Sequence, residues 1–94
     1  MLIATCRIQL SLGGVSSLKE KRGIVKSVIV RLTNQFNVSA AEIEFHDVWQ
    51  SAAIGLVAVG NEAGFLQSMM ENIISWIEHN RPDLYIVDYR IDFR

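Results

Sequence analysis

Cysteine is almost missing from this chain, with Cys6 alone among 94 residues. A lone thiol forms no internal disulfide, and the two histidines complete no zinc-ligand spacing, so a disulfide-stapled secreted scaffold and a zinc module are both excluded. The usage fits an intracellular protein kept reduced. Proline occurs once and glycine six times, too sparsely for a linker, repeat or low-complexity tract, so the elements should connect through short loops. No apolar run approaches the roughly 18–20 residues of a membrane span, and the first residues alternate in polarity instead of forming a signal-peptide core. A cytoplasmic protein with no membrane partner is expected. Charge of one sign is lacking as well, with nine Lys and Arg against ten Asp and Glu for a net charge of −1, which excludes a disordered acidic or basic tail. Half the residues are apolar, and the length allows one core, so residues 1–94 should form a single domain.

Against these absences the periodicity is informative. Residues 2 to 12 place Leu2, Ala4, Cys6, Ile8, Leu10 and Leu12 on one parity and Thr5, Arg7, Gln9 and Ser11 on the other, which predicts a half-buried strand. Gly13 and Gly14 break it. Ser17 followed by Glu20 has the spacing of a capping box ahead of a helix whose Leu18, Val25, Val28, Ile29, Leu32 and Phe36 share one arc. That helix should end near Phe36. Residues 38 to 45 and 51 to 59 are rich in Val, Ile, Phe and Ala and are separated by His46 to Gln50, which predicts a hairpin with a longer loop. After Gly60, Asn61 is placed to cap a second helix with Leu66, Met69, Met70, Ile73 and Ile77 as its apolar stripe, ending before Pro82. From 84 to 93, Tyr85, Val87, Tyr89, Ile91 and Phe93 should face one way and Asp88, Arg90 and Asp92 the other, as on an edge strand.

The order β-α-β-β-α-β is that of the ferredoxin-like α+β fold, a four-stranded antiparallel sheet ordered 4-1-3-2 with two helices on one face. Strand three carries no charge, as a central strand should, while strands two and four carry Glu42, Glu44, Asp88, Arg90 and Asp92 and tolerate the edges.

In this connectivity one pole gathers the end of strand one, the start of helix one, the hairpin and the exit of helix two. Lys19, Lys21 and Arg22 fall in the first helical turn, His46, Asp47, Trp49 and Gln50 in the hairpin, and His79, Asn80 and Arg81 after helix two. Cations at a helix N-terminus oppose the macrodipole, and a bound phosphate, carboxylate or nucleic-acid backbone would offset that. The competing reading is a solvated face with Glu20 and Asp47 as counter-ions. Helical arithmetic turns Lys21 toward the sheet, whereas Lys19, Arg22 and Lys26 form an outward basic stripe. Charge is also lopsided, since residues 1 to 36 hold six Lys and Arg against one acid and residues 37 to 94 hold three against nine. Such a field can steer a polyanion or orient two copies. Trp49 either caps its own core or makes a contact site, and Trp76, Met69 and Met70 read as packing. Cys6 reads as an inert core thiol, and no metal site or cofactor is expected.

The segments CRIQLSL at 6–12, SLKEKR at 17–22, FNVS at 36–39 and HDVWQSAAIG at 46–55 resemble the YlxP-like family of small bacterial proteins, a domain of unknown function. Val48 stands where the family pattern usually has Leu. The resemblance implies a ferredoxin-like fold and a cytoplasmic bacterial protein whose gene often lies near translation and ribosome-maturation genes; it implies no established activity. Three readings follow. The first is a non-catalytic binding module for RNA or a ribosomal component, acting through Lys19, Arg22, Lys26 and the end around Trp49. Stacking on the sheet is disfavoured, because strand one offers Thr5, Arg7 and Gln9 where that mode needs aromatics. The second is a small-anion sensor or enzyme at the helix-one pole, although the Gly-rich loop ending in Phe-Arg that acylphosphatases need is absent. The third is a homodimer paired through the open sheet face, where Ile3 and Thr5 sit beside Arg7, Glu44, Asp88, Arg90 and Asp92.

Overall fold

The computed structural model describes all residues 1–94. Six elements follow in order: β1 (Leu2–Leu12), α1 (Leu18–Gln35), β2 (Ser39–Glu44), β3 (Ser51–Gly60), α2 (Ala63–Asn80) and β4 (Leu84–Phe93). The strands make one antiparallel sheet in the order β2-β3-β1-β4, which is the expected order read from the other edge. Alternation in β1 buries Ala4, Cys6, Ile8, Leu10 and Leu12, and these meet Ala52, Ile54, Leu56 and Ala58 of β3 in one core. Both helices close that core from the same side, α1 with Val25, Val28 and Leu32 and α2 with Leu66, Met70, Ile73, Ile74 and Ile77. Each such fully buried large side chain contributes about 1.5–3 kcal/mol relative to exposure, so the two stripes are what dock the helices.

The local signals that start and stop these elements differ in detail from expectation. Ser17 caps α1 with its hydroxyl accepting from the Glu20 N–H at 3.1 Å. The reciprocal half of the capping box is not made, because the Glu20 carboxylate accepts from the Ser16 hydroxyl at 3.3 Å instead. Asn61 does not cap α2. The cap position is Glu62, which makes no side-chain cap bond, so Asn61 lies one residue too early to reach the first free amides. Gly14 turns the chain out of β1 with φ +75, a conformation open to glycine at little cost.

The expected alternation of β4 is broken in the middle. Gln9 pairs with Asp88 but Leu10 pairs with Ile86, leaving Val87 as an extra residue. One inserted residue exchanges the two faces. Leu84 and Ile86 therefore face the helices with Ile91, while Tyr85 turns outward and is 70% exposed. Asp88, Arg90 and Asp92 stay on the open face as expected, opposite Gln9, Arg7 and Thr5. No helix is long and apolar enough to cross a membrane.

Candidate functional site

Antiparallel pairing brings the predicted pole together. Ser11 is opposite Ser51, Leu12 is opposite Leu84, and the Leu12 N–H donates to Gln50 O at 2.9 Å. The start of α1, the 45–50 loop and the exit of α2 thus surround the end of β1. Lys21 joins the first two of these. Its side chain is fully buried, its ammonium donates to the Phe45 carbonyl, and it lies 3.0 Å from Glu42 Oε2. That carboxylate oxygen is itself buried and accepts no directed hydrogen bond, so the lysine charge is what compensates it. Phe45 sits in the left-handed region at φ 63, and its carbonyl also takes the Val48 N–H at 3.0 Å. A strained residue at the head of the turn is therefore fastened from the helix side. Lys21, predicted beside Lys19 and Arg22 as an anion-binding cation, is buried and commits its ammonium to Phe45 and Glu42, while those two stay at the surface.

The other predicted residues lie at the surface. Lys19, Arg22 and Lys26 are exposed on the outer side of α1, and none has a carboxylate within 4.0 Å. Asp47, Trp49 and Gln50 are exposed in the loop, Trp49 at 49%. His46 is anchored locally, with Nε2 3.1 Å from Glu42 O, and His79 likewise, with Nδ1 2.7 Å from Ser75 O. Asn80 donates to Trp76 O, so the α2 exit satisfies its own carbonyls. Arg81 grips Asp83 through Nε at 3.0 Å and Nη2 at 2.8 Å and reaches Ser27 Oγ at 3.4 Å, tying the α2–β4 turn to α1. The hydrogen bonds from Arg81 hold the Asp83 carboxyl below its ordinary range. Arg31 lies 5.8 Å from the centroid of Trp76, a cation–π distance. No group of three or more His, Cys, Asp or Glu converges where a metal ion could be held. Burial pushes the Cys6 thiol up to about 11, which leaves it protonated and poorly nucleophilic at neutral pH.

The uncovered face of the sheet holds an arrangement that periodicity does not reveal. A depression of about 410 Å³ opens over Gly55, among Ile43, Val57, Arg7, Arg90 and Arg94. Arg7 and Arg90 are directly opposite in register. Arg7 Nε contacts Glu44 Oε1 at 2.7 Å and Arg90 Nε contacts Asp92 Oδ2 at 2.9 Å. The bond from Arg7 keeps the Glu44 carboxyl below the usual range. Gly55 in mid-strand was the available signal, since an interior glycine marks a bulge or a close approach.

These features define a ferredoxin-like α+β domain with free cations along one helix and an uncovered sheet. Within that class, the chain belongs to the family described as "Protein of unknown function (DUF503)", which matches residues 3–91. It is similar to the uncharacterized protein YlxP of Bacillus subtilis (strain 168), with 36% identity over 62 residues, 66% of this chain and 67% of that protein. Among solved structures it is similar to the structured domain of Drosophila melanogaster Boca, at a TM-score of 0.57 and 17% identity, covering 94% of this chain and 95% of that one. At that identity the likeness is one of fold alone.

Proposed function

We propose that this chain is a non-catalytic binding module that engages the phosphate backbone of RNA, in a ribosomal component or on its own, through the outer side of α1. The observation that supports this reading is the row Lys19, Arg22 and Lys26, exposed and without carboxylate partners, whereas Arg7, Lys21, Arg81 and Arg90 are each paired. A helix rises 1.5 Å per residue, so the row spans about 10 Å and can meet consecutive phosphates. With a net charge of −1, affinity must come from this local patch and not from the whole molecule. An anion pocket at the N-terminal turn has less support, because Lys21 is buried against Phe45 and Glu42.

Filter retention of single-stranded RNA across a salt series tests the reading. Binding at about 50 mM salt should fall with a log–log slope near −2, as expected for about three neutralised phosphates. The triple variant Lys19→Glu, Arg22→Glu, Lys26→Glu should abolish it. No affinity at low salt, or affinity unchanged in the triple variant, would refute the proposal.

A further inference from the structure

We propose that the open face of the sheet is a second, separate binding site, for a small organic anion with a flat apolar body such as an aryl carboxylate or an aryl phosphate. The floor is made by an absence. Gly55 has no side chain, and a Cβ there would come within 3.0 Å of Ile43 Cγ2. Ile43 reaches that place because β2 carries one extra residue, with Glu42 opposite Ile54 but Glu44 opposite Ala53. The bulge turns the Ile43 side chain over Gly55, where it and Val57 wall a depression of about 410 Å³. That size lies within the roughly 300–1,000 Å³ of small-molecule sites.

The rim supplies the charge recognition. Arg7 and Arg90 stand opposite one another across β1 and β4, a like-charge pairing that is unfavourable without compensation. Each holds its acid side-on, Arg7 through Nε to Glu44 and Arg90 through Nε to Asp92. The terminal Nη groups of both donate to nothing in the structure, in contrast to Arg81, which grips Asp83 with Nε and Nη2 together. Arg94, also on the rim, has no carboxylate within 4.0 Å. Free Nη edges match a carboxylate or phosphate in bidentate fashion. Glu44, Asp88 and Asp92 already compensate the opposed guanidiniums, so an anion would be held by the free Nη edges at the rim while its body covers Gly55 and Val57. Asp92 is the one acidic side chain lining the depression, and it is already engaged by Arg90.

The test is a ¹⁵N NMR titration of the full chain with 2-naphthoate and with phenyl phosphate, using 2-naphthamide and inorganic phosphate as controls. Saturable shifts are expected at the amides of Ile43, Gly55 and Val57 and at the Nε of Arg7 and Arg90, with submillimolar dissociation constants for the two aryl anions. The double variant Arg90→Gln, Arg94→Gln, both at exposed positions, should weaken binding at least about tenfold. Gly55→Ala, whose Cβ fills the floor and crowds Ile43, should weaken it without touching a charge. Four results would overturn the proposal: no saturable shift, naphthamide or inorganic phosphate binding as tightly as the aryl anions, undiminished binding in the double variant, or the same shifts on changing protein concentration alone. The last would mean that a second copy occupies the face.

Discussion

Lys21 places a full positive charge where no solvent reaches it, and its tolerance there depends on two neighbours, the Phe45 carbonyl and the Glu42 carboxylate. Removing one partner of a buried pair strands the other, which costs more than the pair itself contributes. Lys21→Met should therefore lower unfolding stability by about 3–5 kcal/mol in urea, and adding Glu42→Gln should recover most of the loss. A Lys21→Met protein that unfolds at the wild-type urea concentration would show that the contact is idle. Cys6 offers a second check at this scale. With its thiol pushed up to about 11 by burial, it should resist disulfide reagents at pH 8 in the folded protein and react at once in denaturant. The acid side of the stability curve carries a sign as well. Glu44 and Asp83 both titrate below their ordinary values in the folded chain because Arg7 and Arg81 donate to them. The unfolded state thus takes up protons first as pH falls, so their contribution is complete at neutral pH and is lost as pH drops through the folded pKa values. Carboxylate NMR titration should show the Asp83 midpoint rising in Arg81→Gln. The inward turn of Lys21 was legible from its place in the apolar arc, but its partners were not, since Glu42 and Phe45 come from another element brought there by the fold.

Elements obeyed local rules where those rules were sufficient. Ser17 caps α1 as its spacing with Glu20 predicts, and Ser17→Ala should cost about 1 kcal/mol by thermal or urea unfolding, since the Glu20 amide loses its acceptor. Glu20→Ala should cost less, because its carboxylate takes only the Ser16 hydroxyl. Strand existence, helix stripes and the order of the sheet followed from periods of 2 and 3.6 together with the placement of charge. The two bulges did not follow, at Val87 in β4 and at Ile43 in β2. A bulge is a property of pairing between two strands, and nothing in the period of one strand announces it. Its consequences are large. The β4 bulge sends Tyr85 outward in place of Ile86, and the β2 bulge builds the wall of the open-face depression.

At the scale of the molecule, the sequence asymmetry of charge is real but partly cancelled by the fold. Of the six cations in residues 1 to 36, Arg7 and Lys21 are paired with Glu44 and Glu42 from the acidic remainder. Lys19, Arg22, Lys26 and Arg31 are left without carboxylates, and all four lie on α1. Folding thus converts a diffuse bias in the chain into one helix of unpaired cations on the side away from the open sheet, although the net charge is −1. The shared pole was legible in advance because antiparallel connectivity leaves few alternatives for where β1 ends and α1 begins. The measurement that tests this account most directly is an NMR map of the full chain titrated with a short single-stranded RNA at low salt. Shifts should run along the exposed side of α1 at Lys19, Arg22 and Lys26 and vanish as salt is raised, leaving Lys21 and Gly55 unmoved. Shifts confined to the open sheet, or none along α1, would contradict it.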